Sequence, residues 1–572
     1  MRESDQGLGV RGQDAAERIQ VALGTTPLLA RLLAARGWRE VEAITEFLYP
    51  RLEHAHSPWL LLGMERAVER TLGAVAAGEP ILILGDYDAD GTLATVIVRQ
   101  ALRTLQAEVR YELSERLRGG YGLSPETMER AASAGVKLAI TVDTGIREHA
   151  ALERARELGI DVIVTDHHLP GDTLPAALAI VNPHQTGCGY PDKGLCGSGV
   201  AFKLAQALLE RSGKLEGAWP AALQSYLKLV AIATVADAVP LLGENRIFTR
   251  FGLAGLERPV NAGLRALLGF AVMKGKVGVS SRDVAFGVAP RLNAAGRMGA
   301  ADRVVELFAA PAAEAVGIAQ ELELANQQRQ QCCAKIMAEI EARGEETGVG
   351  VLVIAGEGWH RGVLGIVASK VLERRQRAVI IVSIENGQAH GSGRAPEGVH
   401  LLELIEGCGA LFDRYGGHAQ AVGFSMGADK IEALRRYLEA AEVPAAKGRS
   451  EACFEVSLTE LTAAACKDLR RLEPFGEGNR EPVFRVRGAR LVEAPQILKE
   501  RHLKLVVEQD GVRHTALMWN HTEAAGLTAG AELELICRVE TSTHERYGER
   551  TQLIVREYIA TALAVSGGSV IA

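Results

Sequence analysis

The sequence predicts an α/β protein whose chemistry sits on a mostly parallel sheet and whose carboxyl-terminal part is a small all-β barrel. Two patterns predict this class. Between about residues 76 and 300, short aliphatic runs alternate with helical stretches, which is typical of buried strands in a parallel sheet. From about residue 454 onwards, six short strand-like runs fall within about a hundred residues, and that density is typical of a small barrel such as the OB-fold.

The length of 572 residues is too great for one hydrophobic core and predicts about three or four domains. A stretch with helical spacing and no glycine or proline from residue 320 to 342 predicts a long helix that connects two lobes. A second α/β region follows, with strands expected near residues 351–354 and 379–383. We therefore predict, in order, an amino-terminal extension packed on the catalytic lobe (1–75), a catalytic α/β domain (76–301), a connecting helix (302–345), a second α/β domain that binds substrate (346–441), a linker (442–450) and an OB-like nucleic-acid-binding domain (451–560).

The composition is that of an ordinary globular protein and argues against several classes. No apolar run reaches the roughly 18 residues that span a membrane, and the polar first residues are unlike a signal peptide. The eight cysteines include no Cys-x-x-Cys pair, so we expect reduced thiols and a cytoplasmic location. The net charge of −7 argues against a generic polyanion-binding surface, although phosphate contacts can still be local.

Four acidic strings follow apolar runs. Three of these runs predict strands, and the fourth, residues 231–236, can equally be a helix. Ligand groups of parallel sheets gather beyond the carboxyl ends of the strands, so we expect the strings to meet in one crevice. That much negative charge needs cations, and carboxylates with imidazoles suit Mn²⁺ or Mg²⁺ better than a closed zinc site. The sequence thus predicts a two-metal hydrolase, and the strings contain Asp86, Asp88, Asp90, Asp143, Asp166, His167, His168 and Asp237.

These strings, in this order, resemble the first four motifs of the DHH phosphoesterase superfamily. Four later strings resemble the bacterial RecJ family of single-strand-specific exonucleases. Each string alone is weak, but the ordered set is specific, and the resemblance runs from about Phe47 to the carboxyl-terminal region. The later strings are Pro290 to Arg297, Trp359 to Gly365, Ser392 to Arg394 and Gly416 to His418.

The resemblance implies roles for the residues of the crevice. Asp143 would bridge two ions of Mn²⁺ or Mg²⁺, and His167 and Asp237 would bind the same second ion. His168 would contact the phosphate or the leaving oxygen. The residues to which we assign catalysis are His168, Asp143 and Asp90.

The choice among the three aspartates of the first string stays open. The i, i+2 pair Asp86 and Asp88 lies on a turn after a strand, so each carboxylate can serve a different metal. Aligning Gly91 with the glycine that follows the family's Asp-x-Asp favours this pair and leaves Asp90 as a supporting partner. Leu82 stands where other superfamily members often carry a histidine, which changes the coordination of the first metal. The candidate ligands are Asp86, Asp88, Asp90, Asp143, His167 and Asp237.

Substrate contacts are expected from polar strings on both lobes. A hydroxyl, a glycine and a guanidinium in Ser392 to Arg394 suit a phosphate, and Tyr121 offers a ring for base stacking. For each residue alone, a surface loop with a salt bridge is an equally good explanation. The predicted substrate-binding residues are Arg116, Tyr121, Arg291, Asn293, Arg297, His360, Ser392, Arg394 and His418.

A cluster of basic residues in the barrel region is the best candidate for a track along single-stranded DNA. A solvated barrel face explains the same cluster nearly as well, because basic and acidic residues balance over this region. The cluster consists of Arg485, Arg487, Arg490, Lys499, Arg501 and Lys504.

The resemblance implies a 5′→3′ exonuclease that degrades single-stranded DNA to mononucleotides in recombination and repair. It also implies single-strand-binding protein and a repair helicase as partners, and no membrane. Two alternatives remain. A small-substrate phosphodiesterase of the superfamily, acting on oligonucleotides or cyclic dinucleotides, would not need the predicted barrel. A non-catalytic replication scaffold would not need intact acidic strings.

Overall fold

The fold was analysed in a computed structural model, which describes residues 10–114, 123–217, 219–344, 350–444, 453–524, 527–544 and 548–561. Within these ranges, no helix has the length and the apolar character that crossing a membrane would require. The described chain begins with three helices: α1 (Val10–Leu23), α2 (Pro27–Ala35) and α3 (Val41–Leu48).

The catalytic lobe is built on a five-stranded sheet in the order β2-β1-β3-β4-β5. All four pairings in it are parallel, which confirms the predicted class. Every residue of the first and third strands is buried, as expected for aliphatic runs covered by helices on both faces. The strands are β1 (Ile81–Gly85), β2 (Val109–Leu113), β3 (Leu138–Val142), β4 (Asp161–Thr165) and β5 (Ala179–Val181).

Helices surround this sheet and continue beyond it. The run before Asp237 is the end of a helix, which is one of the two structures that its sequence allowed. The helices are α4 (Met64–Ala77), α5 (Ala89–Thr104), α6 (Pro125–Ser133), α7 (His149–Glu157), α8 (Gly197–Arg211), α9 (Ala221–Ala236), α10 (Gly243–Gly255) and α11 (Ala262–Ala271). Then follow β6 (Lys276–Val277), α12 (Ser281–Asp283), a π-helical turn (Val284–Val288) and α13 (Ala289–Arg297).

The connection between the lobes is two helices rather than the single helix expected from residue 302 to 345. These are α14 (Asp302–Ala309) and α15 (Ala312–Ala342). Pro311 lies between them and has no N–H to continue the first helix, and Ala310 before it is extended, with ψ 142°.

The second lobe is also α/β. Its sheet has the order β10-β11-β9-β8-β7, with one parallel pair at β7 and β8 and antiparallel pairs elsewhere. The expected strands near 351–354 and 379–383 are present. The elements are β7 (Leu352–Glu357), α16 (Leu364–Arg375), β8 (Val379–Glu385), β9 (Gln388–Arg394), α17 (Leu401–Glu406), β10 (Arg414–His418), β11 (Ala421–Gly427) and α18 (Ile431–Glu439). Part of the predicted linker lies outside the described residues.

The carboxyl-terminal region is a closed barrel, as the strand density predicted. Five strands pair in the order β13-β15-β16-β18-β17, and β13 closes the ring by pairing with β17. The barrel also joins the catalytic lobe, because β17 pairs with β6. The elements are β12 (Phe454–Glu455), α19 (Ala463–Leu469), β13 (Phe484–Leu491), β14 (Gln496–Leu498), β15 (His502–Gln509), β16 (Val512–Met518), β17 (Glu532–His544) and β18 (Gly548–Thr561).

The amino-terminal helices pack on the barrel, whereas the sequence led us to expect the whole segment 1–75 on the catalytic lobe. Apolar side chains of α1, α2 and α3 and those of the barrel form one buried cluster. Thr26 N donates to Asp468 Oδ2 at 2.7 Å across this contact. Only the later part of the segment, from Leu52 onwards, belongs to the core of the catalytic lobe. The pattern of an amphipathic helix shows which face is buried, but it does not show which other part of the protein covers that face.

Candidate metal centre and substrate cleft

The acidic strings meet at one edge of the catalytic sheet. Asp86 follows β1, Asp143 follows β3, and the Asp166-His167-His168 string follows β4, so all lie beyond the carboxyl ends of adjacent parallel strands. Asp237 comes from a different direction, as the residue that caps the carboxyl end of α9.

His167 lies at the middle of the cluster. Its Nε2 atom is 3.2 Å from Asp143 Oδ1, 3.7 Å from Asp237 Oδ2 and 3.9 Å from Asp90 Oδ2. Among the described residues, three groups have ligand atoms within 4.8 Å of one another. Asp143 and His167 each belong to two of these groups, which are Asp86 with Asp88 and Asp143, Asp143 with His167 and His168, and Asp90 with His167 and Asp237.

Three buried atoms of this cluster have no hydrogen-bond partner. They are Asp143 Oδ1, His167 Nε2 and Asp237 Oδ2. Buried polar atoms are nearly always satisfied, so three orphans that face one another indicate a missing positive partner. Oxygen ligands with one imidazole fit a hard divalent cation such as Mn²⁺ or Mg²⁺. The side chains present therefore fit the expected metals.

The carboxylates of the cluster repel one another. Burial and the neighbouring carboxylates raise the pKa of Asp143 well above its ordinary value. The same two causes raise the pKa of Asp237 to about 9 and that of Asp86 to about 7. Asp143 also has a left-handed backbone, with φ 59°, a conformation that persists in non-glycine residues where surrounding structure enforces it. Bound cations would relieve this repulsion.

The loop of the first string is held in place by hydrogen bonds. Asp88 Oδ1 accepts from the amides of Asp90 at 2.9 Å and Gly91 at 3.0 Å, and so caps α5. Ser114 Oγ donates to Asp86 Oδ1 at 2.5 Å. Gly91 is required here because a Cβ would lie 2.6 Å from the Asp86 carbonyl oxygen. The Ser114 contact was missed by the sequence argument, since nothing local to Ser114 marks it.

Asp166 fixes the positions of His167 and His168 through hydrogen bonds. Its Oδ1 accepts from the amides of His167 at 2.8 Å and His168 at 3.1 Å, and it lies 2.7 Å from His168 Nδ1. Burial lowers the pKa of His168, but the hydrogen bond and the charge of Asp166 outweigh it and raise that pKa to about 9. The structure thus favours a protonated His168 beside the carboxylates.

The second lobe contacts the catalytic lobe near this centre. Burial, then the charges of Arg147 and His168, lower the pKa of His418. The lobes touch where Arg297 Nη1 donates to the Gly362 carbonyl oxygen at 3.2 Å, two residues after His360. Arg297 and His360 thus lie at the contact between the lobes, and their role in substrate binding, like that of His418, stays a prediction.

Ser392 and Arg394 lie side by side on β9. Arg394 Nη1 donates to Ser392 Oγ at 3.3 Å and to the Gly393 carbonyl oxygen at 2.7 Å. They pack against the first turn of α16, because a Cβ at Gly365 would lie 2.9 Å from Arg394 Nη2. A guanidinium and a hydroxyl at the start of a helix make a surface that suits a phosphate.

Two other predicted substrate residues hold the structure together. Asn293 Oδ1 accepts from the Ala89 amide at 2.9 Å and so fixes the loop of the first string to α13. Arg291 Nε lies 2.6 Å from Glu323 Oε2 on α15, and its Nη1 donates to the Gly287 carbonyl oxygen. The predicted residues Arg116 and Tyr121 lie outside the described ranges.

The basic residues predicted as a track divide into two places on the barrel. Arg485 and Arg487 on β13 lie 3.4 and 3.5 Å from the carboxylate of Glu534, so their charges are already paired. Arg490 is exposed further along the same strand. The others lie at the β14–β15 hairpin: Lys499, Arg501 and Lys504.

An exposed aromatic side chain at this hairpin was missed by the sequence argument. Trp519 is 48% exposed, and its ring makes an edge contact with His502, with 4.7 Å between the centroids. Leu498, directly opposite His502 across the hairpin, is also exposed. The sequence shows a tryptophan at the end of a predicted strand. Only the pairing of β14, β15 and β16 reveals that it lies beside the turn with Lys499 and Arg501.

Comparisons with known proteins match all three folded parts of the chain. The DHH family N-terminal domain matches residues 80–234, the DHHA1 domain residues 348–442 and the RecJ OB domain residues 454–557. The chain is 38% identical over 534 residues to the single-stranded-DNA-specific exonuclease RecJ of Escherichia coli (strain K12), covering 88% of this chain and 91% of that protein.

Solved structures agree with the sequence matches. The crystal structure of RecJ in complex with Mn²⁺ from Thermus thermophilus has a TM-score of 0.81 and 31% identity, covering 99% of this chain and 80% of that chain. The corresponding complex with Mg²⁺ has a TM-score of 0.73 and 29% identity, covering 98% of this chain and 79% of that chain.

Proposed function

We infer the function from one premise: the chain belongs to the RecJ family of single-stranded-DNA-specific exonucleases. It is a metal-dependent hydrolase that degrades single-stranded DNA in recombination and repair, with Mn²⁺ or Mg²⁺ as its cofactor. The barrel argues against the small-substrate phosphodiesterase, because an enzyme for dinucleotides has no use for it. The intact carboxylate cluster argues against a non-catalytic scaffold.

The observation that carries the proposal is the convergence of Asp143 Oδ1, His167 Nε2 and Asp237 Oδ2 as unpartnered buried atoms. Asp86, Asp88 and Asp143 would hold one ion. Asp143, His167 and Asp237 would hold the second, since His167 Nε2 lies 3.2 Å from Asp143 Oδ1 and 3.7 Å from Asp237 Oδ2. When bound, the ions supply positive charge to the scissile phosphate and acidify water. Asp143 is in two of the three groups of clustered ligand atoms, one with Asp86 and Asp88 and one with the histidines, which supports its assignment as the bridge.

His168 is assigned to the leaving oxygen. Asp166 Oδ1 lies 2.7 Å from its Nδ1, and this contact, with the charges of Asp166, Asp237 and Asp90, raises the pKa of the imidazole in the metal-free protein and favours the protonated ring. A protonated imidazole can donate to an oxygen that becomes negative as the bond breaks. His168 is thereby suited to general acid catalysis in the release of each nucleotide.

We propose that the second lobe binds the phosphate at the end of the DNA strand. Ser392 and Arg394 would bind it, and a strand that ends there can present only its first phosphodiester to the carboxylates. The 5′→3′ polarity and the release of mononucleotides rest on the resemblance to the RecJ family. The basic turn at Lys499 and Arg501, with exposed Trp519, would guide the strand further out by charge and stacking.

We further propose a cytoplasmic location, where DNA and reducing conditions occur together. All eight cysteines are free thiols, which suits a reducing compartment. We propose single-strand-binding protein and a repair helicase as partners. The first binds single-stranded DNA, and the second produces it from duplex.

One assay tests the proposed nuclease activity, its polarity and its preference for single strands. Purified protein with Mn²⁺ is given 5′-labelled and 3′-labelled single strands, a blunt duplex and a dinucleotide. The expected result is immediate release of labelled mononucleotide from the 5′-labelled strand, a shortening ladder from the 3′-labelled strand, and little cleavage of duplex. Preferential cleavage of the dinucleotide would favour the small-substrate enzyme instead.

A further inference from the structure

An exposed aromatic ring lies on the catalytic lobe beside α13. Phe286, in the π-helical turn that precedes α13, is 74% exposed. The guanidinium of Arg282 lies 5.2 Å from the centroid of this ring, and the large exposed fraction leaves the rest of the ring open. A single exposed phenylalanine is ordinary on a protein surface, so its position and its surroundings decide whether it has a function.

Helix α13 connects Phe286 to the metal centre. Asn293 Oδ1 accepts from the Ala89 amide, in the loop of the first acidic string, at 2.9 Å. Further along α13, a Cβ at Gly296 would lie 2.3 Å from the Tyr87 carbonyl oxygen of the same loop. Phe286 lies seven residues before Asn293, about 10 Å along a helix axis, which is the length of about three stacked nucleotides.

The barrel joins the catalytic lobe on the other side of Phe286. Residues 276–277 of β6 pair with residues 543–544 of β17. Ser281 Oγ donates at 2.6 Å to the carbonyl oxygen of Phe475, in the segment that leads into the barrel. Arg282 directly follows Ser281, so the pair of Arg282 and Phe286 lies between the barrel contacts and the metal loop.

Phe286 belongs to a larger apolar surface. Met273 is 66% exposed and Val277 is 47% exposed. The π-helical turn packs against the end of α11, since a Cβ at Gly287 would lie 2.4 Å from the Ala271 carbonyl oxygen, and Met273 follows two residues later. Exposed apolar side chains that lie together mark a binding surface more often than single ones do.

The charge around this surface is positive. Lys274, Lys276 and Arg282 are the basic residues between positions 272 and 288, and Asp283 is the one acidic residue. Asp283 is already paired with Lys276. A positive surface in a chain with a net charge of −7 is complementary to DNA, and aromatic side chains among basic ones are typical of surfaces that bind single strands.

We propose that Phe286 and Arg282 form a stacking platform for an unpaired base of the DNA strand, about three nucleotides from the bond that is cleaved. The ring of Phe286 offers an open face to the base, and the guanidinium of Arg282 stabilises the stack. This inference rests on the proposed function and extends the path of the strand from the barrel onto the catalytic lobe. A base inside a duplex is stacked on both faces, so the platform also favours single strands.

The first test measures stacking directly, with the full chain in chelator so that strands are bound and not cut. Each strand carries one 2-aminopurine at a different position, and stacking on a ring quenches the fluorescence of this base. We expect the strongest quenching about three nucleotides from the 5′ end, its loss in Phe286→Leu and its return in Phe286→Tyr. Equal quenching in the leucine variant would overturn the proposal.

The second test compares cleavage of a long single strand with cleavage of a dinucleotide, which is too short to reach the ring. We expect Phe286→Leu to lower the ratio of the two kcat/KM values about tenfold, because one stacking contact is lost. A structural defect would lower both values and leave their ratio unchanged, which would overturn the platform. Tyr437→Leu, which removes an exposed ring from α18 of the second lobe, is the matched control and should leave the ratio unchanged.

The outcomes separate this inference from the proposed function. Failure of the unaltered protein to bind and cleave single strands would overturn both. Cleavage of single strands by the unaltered protein, with the same ratio in Phe286→Leu, would overturn the platform alone.

A third measurement uses only unaltered protein. A strand with 5-iodouracil at the quenched position is bound in chelator and irradiated, which links this base to an aromatic side chain stacked on it. We expect the linked peptide to contain Phe286. Links to Trp519 or other aromatic residues alone would show that the base stacks elsewhere.

Discussion

The guanidinium of Arg246 lies 3.8 Å from the centroid of the Phe47 ring, and its Nε donates to the Phe47 carbonyl oxygen at 2.6 Å. Its remaining nitrogens donate to the carbonyl oxygens of Arg471, Leu472 and Glu473 at 2.9–3.0 Å. Arg246 is 2% exposed and stands on α10 of the catalytic lobe. One side chain therefore joins the amino-terminal helices, the catalytic lobe and the segment that leads into the barrel.

Replacing Arg246 should loosen all three parts. In Arg246→Met, the carbonyl oxygens of Phe47 and Arg471 lose the donor that Arg246 supplies, whereas that of Leu472 keeps Asn479 and that of Glu473 keeps Arg250. Each group left unsatisfied costs about 1–3 kcal/mol. We expect a clearly lower unfolding midpoint and faster proteolysis near residues 444–480. Arg250→Met is the matched control, since Arg250 donates only once to this segment, to the Glu473 carbonyl oxygen at 3.0 Å. Equal effects of the two substitutions would contradict the joining role of Arg246.

Removal of the barrel alone should make the protein more prone to aggregation than removal of the barrel together with the amino-terminal helices. The apolar side chains of α2 and α3, such as Leu29, Leu33 and Ile44, are fully buried in a core that the barrel completes. A protein of residues 10–444 would expose them, whereas one of residues 50–444 would lose both halves of that core. We expect dye binding and aggregation from the longer protein and a cooperative melt from the shorter one. Similar dye binding by both would show that the helices do not need the barrel.

Asp143→Ala should abolish cleavage. Asp143 belongs to two of the three groups of clustered ligand atoms and is our proposed bridge, so its loss should disturb both ions and remove several kcal/mol of transition-state stabilisation. We expect the rate on single strands with Mn²⁺ to fall by about 100-fold or more, which corresponds to about 2.7 kcal/mol. Residual activity within about tenfold of the unaltered protein would remove Asp143 from the bridging position.

Arg394→Ala should weaken engagement of the strand terminus and leave metal binding intact. A charge-assisted phosphate contact is worth about 1.5–3 kcal/mol, so a loss of about tenfold to hundredfold in kcat/KM is expected. The measurement compares 5′-phosphorylated and 5′-hydroxyl strands below saturation. Arg394→Lys serves as the control, because it keeps the charge but not the fork of donors. If both strands are cleaved at the unaltered rate, the phosphate binds elsewhere.

The sequence could predict the candidate site because its main signals are local. An aliphatic run makes a buried strand and the acid that follows it lies at the carboxyl end, so Asp86, Asp143 and the Asp166 string could be placed at one edge without coordinates. Asp237 was placed in the same crevice from the apolar run before it, and the structure shows that this run is the end of a helix, one of the two possibilities that the run allowed. Pro311 carried a local signal that a single connecting helix should have taken into account.

The sequence by itself determined which elements form and which of them carry the chemistry, because hydrophobic period and turn residues act over a few neighbours. Only the tertiary structure decided which surfaces meet. Asp90 and Ser198 are 108 residues apart, and Thr26 and Asp468 are 442 apart. Such pairings depend on how helices and sheets pack against one another. The residues next to Asp90 or Thr26 in the sequence do not indicate which distant residue will be its partner. The contact of Asp90 with the start of α8 and the shared core of the first helices and the barrel follow from that stacking.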